Sequence, residues 1–457
     1  MTPSRLSERL REVVRPVREA VDPRPLDGDS GERHVTAQGL GQSSVEETLG
    51  GAWQAHQSGR YLLVERTMPA DARHGPTRIG DLAPQFRASP SETAGLFDRA
   101  RPPFLFFDLE TTGLNGGAGT YAFLIGVGSF DDDDAFVTKQ YVMTRASHER
   151  PMLRAVAEQL VASGALVSFN GKSFDAPLLE SRFLFHRLSW VGETLPHVDM
   201  LHPARRFWRA EGGEPGSSPC SLSVLERQVL GAERHDDVPG MEAPSRYFQF
   251  VRSGDARPLA GVLEHNRLDL VSLAGLMARL LDLARDGPDA ARTGREAFAL
   301  GGLYERSGRP VQARGALERA LELVSTEETD RRPTGCGMTG TLPRQVAAAV
   351  PATRRLRVEV LRALARGARR SGRHDEAARW WRETLGSAAC PNEVAREAAE
   401  ALAVHHEHRR RDLESARAFA QRTLEITPST VRHAAARHRL ARLERKLSVK
   451  PTLLLGE

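Results

Sequence analysis

Asp108 and Glu110 lie two positions apart at the end of Phe104-Leu105-Phe106-Phe107-Asp108-Leu109-Glu110-Thr111-Thr112-Gly113. The apolar run reads as a buried strand, whose alternation turns both carboxylates to one face. Like charges held that close at the end of a buried sheet need positive charge between them, and a divalent cation is the usual compensation. Asp175 follows a turn in Ser168-Phe169-Asn170-Gly171-Lys172-Ser173-Phe174-Asp175, where it would open a helix as an N-cap. His265 and Asp269, four apart in a helical stretch from Val262 to Leu273, stack on one face. Taken singly, these are a solvated strand end, a helix cap and a surface pair. Together they supply carboxylates of the kind that suits hard cations and a histidine able to move a proton.

The elements that must position these groups are legible in the pattern. From Arg101 to about Asp286 the chain reads as α/β. After the Asp108 strand come a second apolar run, Tyr121 to Phe130, an acidic turn, Asp131 to Asp134, and a third strand within Ala135 to Thr144. Short turns make these an antiparallel meander. A helix over Glu149 to Ala162, a buried strand over Ala165 to Phe169, a helix over Asp175 to Leu188 and a short strand over Leu195 to Asp199 follow. The expectation is a mixed sheet flanked by helices, in the order of RNase H-like folds.

The acidic set resembles the DEDD exonuclease superfamily of RNase H-like proteins, and in particular the YprB-type ribonuclease H-like proteins of bacteria. The likeness covers roughly residues 100 to 285. His197-Val198-Asp199-Met200-Leu201-His202-Pro203-Ala204-Arg205-Arg206, Cys220 to Glu226 and Asp236-Asp237-Val238-Pro239-Gly240 add to it. The resemblance implies that Asp108, Glu110, Asp175 and Asp269 hold two divalent cations, Mg²⁺ or Mn²⁺, and that His265 is the general base of a 3′→5′ exonuclease on single-stranded DNA or RNA. His265 precedes Asp269 by four positions, the spacing of the tyrosine subgroup rather than the five of the histidine subgroup. Two other readings stand beside this one: a vestigial site in a nucleic-acid-binding scaffold, and RNase H-type endonuclease action on the same metals.

Four further residues border the acids as candidates for substrate contact: Thr111, Asn170, Lys172 and Phe174. Phe174 is expected to pack beside the active-site floor, and Lys172 to meet a phosphate. Asp199 reads either as a supporting acid or as the cap of a strand-to-helix turn. Arg205, Arg206 and Arg209 with Phe207 and Trp208 interleaved suit either a single strand or a solvated helix face with core aromatics.

Beyond Gly287 the pattern turns all-helical. Leu300, Gly301, Tyr304, Gly308, Ala313, Leu317 and Ala320 fit a tetratricopeptide-like repeat. A looser copy contains Leu364, Ala365, Ala368, Gly372, Ala377 and Trp381, and a third runs from Ala403 to Pro428 with an added residue near Arg409-Arg410-Arg411. Such repeats usually present a concave surface to a protein segment. The expected organisation is an extension over residues 1–100, partly disordered; an RNase H-like domain over 101–286; repeats over 287–446 with a loop at 327–353; and a tail over 447–457. In the extension, Leu6, Leu10, Val13 and Val14 suggest a short helix, residues 22–44 a linker, and Gly59 to Arg66 a strand.

Bulk properties narrow the classes. The chain of 457 residues is 40% hydrophobic and 27% charged, the balance of a multidomain globular protein. No apolar stretch is long enough for a membrane span, and the start has no secretory h-region, so a cytoplasmic location is expected. Cys220, Cys336 and Cys390 lie far apart, against a disulfide framework or a zinc site. A net charge of +5 permits nucleic-acid binding without requiring it.

Overall fold

The computed structural model describes residues 43–56, 59–87, 97, 99–113, 119–209, 220–330, 344–426 and 433–448. The expected helix near Leu6, most of the linker, Cys336, much of the 327–353 loop, Pro428 and most of the tail lie outside the described residues. All described residues fall within a single unit, Ser43–Glu457.

Nine strands occur among the described residues: β1 Ala52–His56, β2 Gly59–Met68, β3 Arg73–His74, β4 Thr77–Arg78, β5 Phe104–Thr111, β6 Ala122–Phe130, β7 Phe136–Val142, β8 Ala165–Ser168 and β9 His197–Asp199. Seven of them build one sheet in the order β1-β2-β7-β6-β5-β8-β9, and β3 and β4 form a separate hairpin. The meander is present, with β6 antiparallel to both β5 and β7, while β8 pairs parallel to β5 and β9 parallel to β8.

Alternation along β5 explains why helices cover both faces of the sheet. Leu105, Phe107 and Leu109 join a core with Met152, Val156, Leu179 and Phe183 from the helices Glu149–Val161 and Asp175–Phe185. Phe106 belongs instead to a core with Leu270, Leu273 and Met277 of the long helix Arg257–Asp286. This is an RNase H-like mixed sheet flanked by helices.

The sheet starts earlier than the boundary expected at residue 101. β2 pairs antiparallel with β7 from Leu62↔Val142 to Met68↔Phe136, and β1 pairs with β2. β7 would otherwise be an open edge with unpaired backbone groups, and β2 covers it.

The C-terminal part is helical: Gly294–Arg306, Pro310–Asp330, Arg344–Arg370, His374–Gly386, Asn392–His405, Leu413–Glu425 and His433–Ser448. Gly308 and Gly372 follow helix ends with φ of +68° and +74°, a left-handed conformation that glycine adopts without strain. At the corresponding place in the third hairpin the chain makes a π-helical turn, His406–Arg410, before Arg411 at φ +54°. No described helix is long and apolar enough to cross a membrane.

Candidate carboxylate and metal site

Asp108 sits on β5 facing the long helix. Its Oδ2 accepts a hydrogen bond of 2.8 Å from Asn266 Nδ2, and Asn266 Oδ1 in turn accepts one of 2.9 Å from Gln140 Nε2 on β7. Gln140 also donates to the Leu263 carbonyl at 2.7 Å, so the buried pair Gln140 and Asn266 fixes the helix against the sheet. The residue paired with Asp108 on β6 is Gly126, and a Cβ there would stand 2.1 Å from Asn266 Oδ1. Only glycine leaves room for the asparagine that holds Asp108. Past Glu110 the β5–β6 register shifts, bending the strand end, and Thr111 Oγ1 turns to the Gly113 carbonyl at 3.0 Å.

The acids act on one another. Burial, then the charges of Asp269, Asp175 and Glu110, push the Asp108 carboxyl well above the ordinary range, against the opposing hydrogen bond from Asn266. Burial followed by Asp269, Asp175 and Asp237 pushes Glu110 up to about 8. Asp175 rises to about 7 through burial and the neighbouring Asp199. Asp108 and Glu110 on β5 therefore lie within electrostatic reach of Asp175, at the start of the helix Asp175–Phe185, and of Asp269 on the long helix.

Among the described residues, Arg234 brings positive charge into this field. Arg234 Nη2 donates to Asp269 Oδ1 at 2.6 Å, its Nε to Glu226 Oε2 at 2.6 Å and its Nη1 to Asp237 Oδ2 at 3.3 Å. His265 places Nδ1 2.7 Å from Asp237 Oδ1 and Nε2 3.6 Å from Asp269 Oδ2. Among the described residues, no group of His, Cys, Asp or Glu side chains is drawn together as a ready-made metal cage. Asp269 is turned to Arg234 and Asp108 to Asn266 instead. The donor chemistry nevertheless fits a hard divalent ion, being all carboxylate oxygen with no thiolate.

The remaining sequence candidates divide. Asp199, 5% exposed, accepts from the backbone N–H groups of Asn170 at 2.8 Å, Leu201 at 3.0 Å and Lys172 at 3.2 Å, so it serves as the cap of its turn. Asn170 holds the left-handed turn at φ +66°. Lys172 is exposed. Asp175 is the first helical residue rather than the cap, a position that Phe174 takes. Phe174 is 57% exposed and does not pack on the floor, because Asp175, Leu178 and Leu179 occupy the inward side of that first turn. Phe207 and Trp208 are buried, with Trp208 Nε1 donating to Glu296 at 2.8 Å, so they are core residues and not a base-stacking surface.

Gln140, Asn266 and Arg234 are the participants the sequence reading passed over. Gly126, set between Ile125 and Val127 inside the apolar strand β6, is the signal that something approaches there.

Residues 105–281 match RNase_H_2, a family of the RNase_H superfamily. That span contains Asp108, Glu110, Asp175, His265 and Asp269, and nucleases of the superfamily generally use divalent metal ions. The chain is also 31% identical over 279 residues to the uncharacterized protein YprB of Bacillus subtilis (strain 168), a match covering 59% of this chain and 64% of that relative, a little under two thirds of its length.

Proposed function

We propose that this chain is a divalent-metal-dependent nuclease acting as a 3′→5′ exonuclease on single-stranded DNA or RNA. The observation that carries the reading is the set of raised acids: Asp108 and Glu110, raised by burial and by the charges of Asp269 and Asp175, and Asp175, raised by burial and Asp199. Asp108, Glu110, Asp175 and Asp269 would hold two Mg²⁺ or Mn²⁺ ions, which supply charge stabilisation of the attacking and leaving oxygens of a phosphodiester. His265, with Nε2 toward the acids, accepts the proton of the attacking water. Lys172, exposed beside Asp175, is placed to meet a backbone phosphate, and the helical region recruits a partner protein.

The test is degradation of end-labelled oligonucleotides with Mg²⁺ or Mn²⁺ by wild type, Asp108→Ala and Asp269→Ala, with circular substrates to separate endonuclease action. Equal activity in all three proteins removes the assignment. A second reading, a vestigial nucleic-acid-binding scaffold, is favoured by one specific contact: Arg234 already neutralises Asp269 at 2.6 Å. Calorimetric titration with Mn²⁺ separates the two, since a scaffold of that kind shows no binding heat.

A further inference from the structure

Residues 226–240 reach the site from outside the carboxylate set and touch His265. His265 Nδ1 lies 2.7 Å from Asp237 Oδ1, within charge-assisted hydrogen-bond range, and 3.3 Å from Arg234 Nη1. A carboxylate can only accept, so the shorter contact puts a proton on Nδ1, and in the neutral ring Nε2 then carries the lone pair. That Nε2 faces Asp269 Oδ2 at 3.6 Å, too far for a direct hydrogen bond.

Asp237 is itself braced. Arg234, 7% exposed at its side chain, links Asp237, Glu226 and Asp269 in one fork. Behind Arg234, Glu226 Oε1 lies 3.4 Å from His74 Nε2, which stands 2.9 Å from Ser272 Oγ on the long helix. The β3–β4 hairpin thus backs the segment that carries Asp237, and the long helix supplies both His265 and the far anchor, Ser272.

We propose that Asp237 is a positioning residue that fixes His265 as the Nδ1–H tautomer with Nε2 toward the acids, and that Arg234 holds Asp237 in place for this. The proposal rests on the nuclease reading for its catalytic consequence, but the tautomer does not depend on it. Neither residue touches the reacting atoms. Asp237 acts through the imidazole, as outer groups orient a histidine in metal sites, while Arg234 braces Asp237 and also bonds Asp269.

The experiment uses the full chain as wild type, Asp237→Ala, Asp237→Asn and His265→Gln. Side-chain ¹H–¹⁵N correlation spectra of histidine-labelled protein read the tautomer, with the His265 signal identified by its loss in His265→Gln. The expected spectrum is Nδ1–H in wild type, mixed tautomers in Asp237→Ala and partial recovery in Asp237→Asn, whose amide oxygen still accepts. With Mn²⁺ and an end-labelled single strand, kcat should fall about 10–100-fold in Asp237→Ala, less in Asp237→Asn, with KM little changed. An unchanged tautomer in both Asp237 variants, or a wild-type Nε2–H form, overturns the proposal even if the enzyme is active. Wild type without nuclease activity on any substrate, but with the tautomer shift intact, overturns the nuclease reading and keeps the positioning role of Asp237.

Discussion

Glu149 and Glu110 are both almost wholly buried, at 2% and 7% exposure, yet only the first is neutralised by its neighbours. Arg182 grips Glu149 through Nε and Nη2 at 2.6 Å each, and His186 Nε2 stands at 2.7 Å. Glu110 faces Asp269, Asp175 and Asp237, and is pushed up to about 8. The same helix, Asp175–Phe185, serves both regions: its first residue adds an acid to the site and its last turns bring the guanidinium that closes on Glu149. A buried carboxylate that only holds the fold is given its counter-charge by the chain. One left without it is waiting for charge from outside.

The largest effect is expected where the charge is already matched. Glu149→Ala should cost about 3–5 kcal/mol in urea unfolding, because it strands a buried guanidinium. A cost below about 1 kcal/mol would show that the two regions do not differ in kind. On the other side, Asp108→Asn should lower nuclease kcat by at least about 10²-fold while leaving the melting temperature unchanged or raised, since it removes repulsion. A clear drop in both quantities would mean that Asp108 is structural.

Gly126→Ala probes the support of the site. A methyl at 2.1 Å from Asn266 Oδ1 must displace the asparagine, so about 1–3 kcal/mol of stability should be lost along with Mn²⁺ affinity. Full retention of both would separate the Gln140–Asn266–Asp108 chain from metal binding. The smallest effect concerns pH. The folded protein keeps protons on Glu110 and Asp175 up to about pH 8 and 7, where the unfolded chain has released them near the ordinary 4.5 and 3.8. Metal-free protein should therefore be most stable at low pH on this account, with a melting temperature that falls as pH rises through that window. Saturating Mg²⁺ should flatten the loss. A metal-free protein that gains stability over the same range would contradict the uncompensated-acid picture.

Much of this contrast could be read from the sequence, and its limits have physical causes. β5 to β8 were visible because apolar runs and alternation are local properties, and the order of the acids fixed which strand ends and helix starts had to meet. The antiparallel union of β2 with β7 was not visible, since nothing within Gly59 to Arg66 says which distant strand it will join. Phe174 was misplaced for a similar reason: local spacing does not say which side of a first helical turn the core will claim. Asn266, Arg234 and the link from Asp237 to His265 exist only after three segments fold together, and no periodicity announces them. Phe207 and Trp208 left two readings open until packing chose the core.

The hydrophobic core that begins at Phe106 continues without a break through Leu276 and Leu280 into Leu300, Leu317, Leu364 and Trp381. The long helix is therefore greasy on its back as well as its front, and the stack behind it acts as a lid on that grease rather than as a hinged appendage. Severing the chain after Asp286 would leave Leu276, Leu280 and Leu283 bare to water, so the front half expressed alone should clump and precipitate, however complete its acids.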